Sequence, residues 1–308
     1  MAESVRSHKA VLDTARRAED EGFSTFLIRD HFIAEPFGHQ LAPLTTLATV
    51  ASVTKRLRIG SLVFGSAYRH PVLLAKEIAT LDVVSEGRVD LGLGTGFSRT
   101  EYEQAGMPFE PPRLRLERLE EVLHVLKGLF AEGRFTFAGK HYSVTDLDSF
   151  PKPVQRPHPP ILIGGAGPRL LSVAAREADI IGLQTVGTKD GVVSRESEAR
   201  LAETVMQKIR SVRQTAGPRF DEIELSSFAS VIVTDHREEA AERFAHEQGW
   251  TVIPTEKVLE MPSVFIGTIE QITADMQMRR EQFGFSYYVT SDHSMEEVAP
   301  IVRRLAGT

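Results

Sequence analysis

Asp30 and His31 stand side by side where the apolar run "STFLIRD" (24–30) gives way to polar sequence. A carboxylate and an imidazole at the carboxyl end of a strand are placed for proton transfer, or for hydrogen bonding to a bound ring. The plainer alternative is a helix cap beside a packed histidine. Further on, "RVDLGLGTGF" (88–97) carries Gly92, Gly94 and Gly96 at alternate positions. Glycines there let a backbone approach something closely, either a cofactor or only a neighbouring strand. The dinucleotide fingerprint needs two residues between its second and third glycines and an early βαβ position, so this motif is a different one. A third stretch, "PILIGGAGPRLL" (160–171), reads as strand, glycine turn and helix start, with Pro168 suited to the first turn. Backbone N–H groups at Gly165, Ala166 and Gly167 suit a phosphate at a helix N-terminus. A glycine-rich strand–helix turn that binds nothing has the same sequence.

Other chemistry has less support. The turn at 164–168 lacks the Lys-Ser/Thr of a P-loop. Ser66, Ser98 and Ser291 are not in a Gly-x-Ser-x-Gly context, which disfavours hydrolysis. His8, His39, His124, His141, His158, His236, His246 and His293 are scattered without zinc spacing, so no metal is expected. In "YRHP" (68–71), Arg69 and His70 are weaker candidates, and the plainer reading has them hold the helix that Pro71 begins. The chain has no cysteine, which excludes disulfides and thiol catalysis. Its 308 residues carry a formal net charge of −6 with no long run of either sign, so neither nucleic acid nor an anionic membrane is expected as a partner. No signal-peptide pattern or long apolar stretch occurs, and a cytoplasmic protein is the default expectation.

The elements that must position these residues follow from periodicity. Short, nearly continuous apolar runs at 24–30, 57–64, 88–94, 160–165, 179–183, 223–233 and 285–290 predict strands buried on both faces. Between them lie amphipathic stretches. Val11, Ala15 and Ala18 share one helical face, Leu116, Leu119, Val122, Leu123 and Leu126 a second, and Leu201, Val205, Ile209 and Val212 a third, ended by Gly217-Pro218. Thr268 with Gln271, and Ser294 with Glu297, have capping-box spacing, and Pro300 should lie near the start of the last helix or kink it. Repeated strand–helix units without a break in composition predict a single parallel α/β domain over 1–308. No strand is evident before the first helix. Long irregular stretches near 97–113 and 132–160 predict binding loops or lids, the second with room for a hairpin.

Taken in order, "ARRAEDEGFSTFLIRDHF", "LRIGSLVFGSAYRHPVLLAKEIATLDVVSEGRVDLGLGTGFSRTEY", "PKPVQRPHPPILIGGAGPRLLSVAAREADIIGL" and "FGFSYYVT" resemble the luciferase-like monooxygenase superfamily over nearly the whole chain. The pattern is most similar to the members that use the deazaflavin coenzyme F420, while relatives using FMN share much of it. The resemblance implies a TIM-type (β/α)8 barrel, here without an evident first strand, often a homodimer, with the cofactor at the barrel mouth. It implies that Asp30 and His31 lie near the ring, with His31 the proton donor or acceptor. It places the family's non-prolyl cis peptide at Leu62-Val63, behind the ring. Gly94, Thr95 and Gly96 would follow the cofactor, and Gly164, Gly165, Ala166 and Gly167 would hold its phosphate. The implied reaction is hydride transfer between F420 and a small organic substrate. In a sugar-phosphate dehydrogenase of the family an acid follows the Gly-Thr-Gly. Phe97 occupies that position here, which points away from a sugar phosphate. An FMN-dependent monooxygenase and a non-catalytic, cofactor-binding shortened barrel are the alternatives. Substrate contacts are expected from loops near 97–113 and 184–195.

Overall fold

The apolar runs form strands and the amphipathic stretches form the helices between them. The computed structural model describes residues 2–3, 7–34, 38–184, 188–189, 192–193 and 196–307, in two compact units.

One unit comprises Ala2–Asp20 and Ser24–Gly164. In chain order it contains β1 (Ala2–Glu3), α1 (His8–Asp20), β2 (Thr25–Ile28), α2 (Pro43–Val53), β3 (Arg58–Ser61), β4 (Phe64–Gly65) and α3 (Pro71–Val84). Then follow β5 (Val89–Gly94), α4 (Arg99–Gln104), α5 (Pro112–Phe130), the antiparallel hairpin β6 (Phe135–Ala138) and β7 (Ser143–Leu147), and β8 (Ile161–Gly165). The sheet order is β1-β2-β3-β5-β8, all parallel, with β4 also paired to β5. Thr25 pairs with Arg58, Ile59 with Val89 and Leu91 with Ile161. Every residue of β2 and β5 is buried, as strands covered on both faces require. Asp90 within β5 is tolerated because Arg58 binds its carboxylate, through Nε at 3.0 Å and also through Nη2. On α1, Val11, Ala15 and Ala18 form the expected apolar face. Parallel pairing puts all the strands' carboxyl ends on one edge of the sheet. His31, Leu62 and Gly94 therefore share that edge.

Among the described residues, Ala2 and Glu3 pair in parallel with Leu27 and Ile28 of β2, ahead of the first helix. The 57–64 run divides into β3 and β4 at Leu62-Val63, whose peptide bond is cis, as the resemblance implied. The 97–113 stretch is not wholly irregular, since it holds α4. The 132–160 stretch holds the hairpin for which it had room.

The other unit comprises Glu21–Phe23 and Gly165–Thr308. It contains α6 (Pro168–Glu177), β9 (Ile180–Leu183), a short hairpin of β10 (Thr188–Lys189) and β11 (Val192–Val193), α7 (Ala202–Ala216) and β12 (Glu224–Phe228). It continues with β13 (Ser230–Val233), α8 (Arg237–Glu247), α9 (Thr255–Leu259), β14 (Val264–Gly267), α10 (Ile269–Phe283), β15 (Phe285–Val289) and α11 (Met295–Leu305). β12 lies parallel between β9 and β15. The 223–233 run breaks at Ala229, and its second half leaves that sheet to pair with β14. β14 is absent from the sequence reading because "VFIG" is only four residues long and stands beside Pro262, Gly267 and Thr268. Of the two capping boxes, only Thr268–Gln271 forms. Ser294 is an N-cap without a side-chain hydrogen bond, because a single turn of 3-10 helix (292–294) leads directly into α11. Pro300 lies inside α11. Residues 185–187, 190–191 and 194–195 of the expected 184–195 loop lie outside the described residues.

Replacing Thr268 with Ala removes the Oγ1 acceptor at the start of α10 and should cost about 1 kcal/mol. Ser294→Ala should change stability by less than about 0.5 kcal/mol. Urea unfolding of both variants beside the parent checks the pair, and equal losses would contradict the assignment of the caps.

Candidate active site

Three stretches meet at the carboxyl edge of the first unit's sheet: the loop after β2, the loop between β4 and α3, and the segment from the end of β5 into α4. Asp30 leads the first. Its carboxylate is nearly inaccessible and takes Arg69 on both oxygens, Nη1 to Oδ2 at 2.5 Å and Nη2 to Oδ1 at 3.0 Å. The backbone N–H of Gly65 adds a third bond at 3.2 Å. A buried carboxylate needs such a set, because loss of its partner would leave an uncompensated charge. Arg69 thus ties Asp30 to the loop after β4. His70 has the role suggested from sequence, its Nδ1 accepting from Val72 N at the head of α3.

His31 turns its Nδ1 to Glu101 Oε2 at 3.0 Å. Glu101 sits in the first turn of α4 and is fully buried. It also accepts from Phe32 N through Oε1 at 2.5 Å and from the Tyr68 hydroxyl through Oε2 at 3.1 Å. Burial works to raise the Glu101 carboxyl, but the bonds from His31, Phe32 N and Tyr68 outweigh it and hold the group below its ordinary value. Burial pushes the Tyr68 phenol far up, with Tyr102 and Glu101 adding to the effect, so Tyr68 stays a hydrogen-bond donor. Burial likewise pushes Tyr102 to about 12, against the opposing charge of Arg115. The edge of His31 meets the Phe97 ring, centroids 5.7 Å apart, and half-exposed Phe32 leans on Tyr68 at 4.7 Å.

The glycines after β5 are required by the chain itself. A Cβ on Gly92 would strike the carbonyl oxygen of Ser61, and one on Gly94 would fall 2.6 Å from Val63 Cγ2. Gly96 has φ +72°, and its missing side chain leaves room for Tyr102. Arg115, on α5, donates to the carbonyls of Thr95 and Gly96 and to that of Glu110. Its own pKa is lowered by burial. The segment 94–96 is therefore locked from both sides. Leu62, Val63, Gly94, Thr95, Gly96, Asp30 and His31 come together on one edge as the sequence suggested, with Gly164 at the end of the adjacent strand β8. Gly165, Ala166 and Gly167 form the turn into α6. There Gly167 is the N-cap, no side chain caps the helix, and a Cβ on Gly167 would meet nothing within 4 Å.

Sequence reasoning did not single out Glu101, Tyr68 or Arg115. Glu101 stands seven residues past Gly94 in a stretch read as irregular, so only its helix start, capped by Ser98, gives it a fixed direction.

These observations define a hydrogen-bonded carboxylate–imidazole cluster at the strand edge of a parallel α/β framework. A model of the luciferase-like monooxygenase family matches residues 2–283, and the chain belongs to that family. It is 34% identical over 172 residues to the F420-dependent glucose-6-phosphate dehydrogenase of Kineococcus radiotolerans, which covers 54% of this chain and 50% of that protein. It is 31% identical over 233 residues to the enzyme of the same name from Nakamurella multipartita, covering 74% of this chain and 65% of that protein. The chain thus spans about half to two thirds of the length of these relatives. An F420-dependent secondary alcohol dehydrogenase, solved in complex with an F420-acetone adduct, aligns with a TM-score of 0.73 at 18% identity, over 98% of this chain and 99% of that one. That likeness confirms the expected fold class. Among the described residues, no helix is long and apolar enough to cross a membrane.

Because its carboxyl is depressed in the folded state, Glu101 stabilises the fold above the ordinary carboxylate range. That contribution is lost as pH falls through the lowered value. Glu101→Gln should therefore be less stable than the parent at about pH 7 and converge on it towards about pH 3. Thermal unfolding across this range is the check, and a gap independent of pH would contradict it.

Proposed function

We propose that this protein is an oxidoreductase that transfers a hydride between coenzyme F420 and a small neutral organic substrate, with His31 handling the accompanying proton. The observation that carries this reading is the imidazole at the strand edge, its side chain 14% exposed and backed by a carboxylate side chain that is 1% exposed. The names of the curated relatives and of the structural neighbour support the choice of cofactor.

The residues fit such a group. Leu62, Val63 and the half-buried backbone from Thr95 to Ser98 would hold its ring. In the other unit, the start of α6 at Gly165–Gly167 has no side-chain cap, and backbone N–H groups of such a turn suit an anion. When bound, F420 supplies a two-electron hydride carrier that no side chain can replace. The protein's part is orientation and proton control. Arg69 and Gly65 N fix Asp30, which anchors the loop that presents His31. His31 then gives a proton to, or takes one from, the substrate oxygen. Asp30, with both oxygens engaged, acts through that anchoring.

A neutral substrate is favoured over a sugar phosphate by the surroundings of His31. Phe97 and Phe32 flank it. Two guanidinium groups of the site are committed: Arg69 to Asp30 and Arg115 to three carbonyls. A phosphate that paired with Arg69 or Arg115 would have to displace these partners.

Parallel fluorescence titrations with F420 and FMN test the cofactor. Saturable F420 binding without FMN binding is expected. FMN binding alone would point to a flavin monooxygenase, and binding of neither to a non-catalytic protein. With F420 bound, neutral secondary alcohols should reduce it faster than glucose 6-phosphate does. His31→Ala should cut that turnover by on the order of 10²-fold or more while F420 affinity changes by less than about threefold. Equal losses in both would contradict the role of His31.

A further inference from the structure

We propose that Glu101 is the positioning residue for His31, fixing the ring as the Nδ1–H tautomer so that Nε2 is the nitrogen that exchanges the proton. This inference rests on the acid–base role proposed for His31 above.

The argument begins with the cost of the carboxylate. Glu101 has no exposure, and burying a charge is unfavourable unless it is paired and hydrogen-bonded. Its three donors are not interchangeable. Phe32 N, on Oε1, fixes the main chain directly after His31. His31 Nδ1 and the Tyr68 hydroxyl share Oε2. One side chain thus grips the loop at two adjacent residues, by backbone at 32 and by ring at 31.

An ionised carboxylate only accepts hydrogen bonds. The forces on Glu101 keep it ionised at neutral pH, so the hydrogen between it and His31 belongs to Nδ1. Proton exchange is then assigned to Nε2. When Nε2 takes a proton, the ring keeps its Nδ1–H bond to the buried Glu101 carboxylate and so holds its orientation. The groups that face the ring include Tyr68, Asp30 and Phe97. Tyr68 is held as a neutral donor, and Asp30 is neutralised by Arg69. On its other side the ring meets Phe97, which carries no charge.

The placement of Glu101 serves this role. Its backbone N–H is capped by Ser98 Oγ at 3.4 Å, at the head of α4. Tyr68 is held between Phe32 and Tyr102, with ring centroids at 4.7 and 5.1 Å, so the second donor is fixed as well.

The test is a long-range 15N–1H spectrum of the histidine rings in the full chain, with His31 assigned by its loss in His31→Asn. In the parent protein the neutral ring should show a protonated Nδ1 and an unprotonated Nε2. Glu101→Gln, whose amide can donate as well as accept, should convert that single pattern to a mixture or to Nε2–H, and Glu101→Asp should restore part of it. Tyr68→Phe removes a donor from Glu101 without touching the ring and should retain the parent pattern. With F420 bound, Glu101→Gln should lower kcat by on the order of 10²-fold with KM changed less than about threefold. A parent spectrum with Nε2–H, or an unchanged pattern in a folded Glu101→Gln, overturns the proposal. The spectra need neither cofactor nor turnover. Failure to bind F420 would therefore overturn the proposed function separately, and failure of the tautomer pattern would overturn only the role of Glu101.

Discussion

The close approach of the chain at 61–63 to the end of β5 governs the rest of the site. The Ser61 carbonyl and the Val63 side chain occupy the space that Cβ atoms on Gly92 and Gly94 would need. This contact sets where β5 ends and brings the cis peptide Leu62-Val63 against it. Gly96, at positive φ, then turns the chain over Tyr102, and Arg115 fixes its carbonyl. Only because that turn is fixed does α4 begin at Arg99, so that its first-turn carboxylate reaches the loop after β2. A contact between two strands is thereby converted into the orientation of an imidazole.

Charge inside this unit is arranged in closed sets. Asp30 is matched by Arg69, Asp90 by Arg58, and Glu101 by three hydrogen-bond donors. Each set ties together segments distant in sequence, as the separation of 70 positions between His31 and Glu101 illustrates. Pairing of this kind contributes little net stability compared with apolar packing, since desolvation offsets most of the attraction. What it contributes is direction, since each side chain has one arrangement in which all its polar atoms are satisfied.

Much of the framework was legible in the sequence because both-face burial leaves an unbroken apolar run. The strands at 24–30, 88–94 and 160–165 and the stripe of α1 announced themselves in this way. A piece that escaped, Val264–Gly267, was too short to carry a period. At the site, the residues adjoining glycine and proline punctuation were visible. Glu101 and Tyr68 were not, because their significance lies in a meeting across the fold that no local pattern encodes. The glycines illustrate a subtler limit. Their spacing signalled close approach, but not that the approaching atoms belong largely to Ser61, Val63 and Tyr102.

Position 97 stands between two anchors. Gly96 before it is gripped through its carbonyl by Arg115, and Ser98 after it caps α4. The Phe97 side chain faces His31 while its backbone belongs to a frame that other residues hold. The chemistry beside the imidazole can therefore change by exchange of one side chain, with no shift of strand, helix or carboxylate. In evolutionary terms, such a position is open to exchange on its own, because the frame that holds His31 and Glu101 does not depend on its side chain.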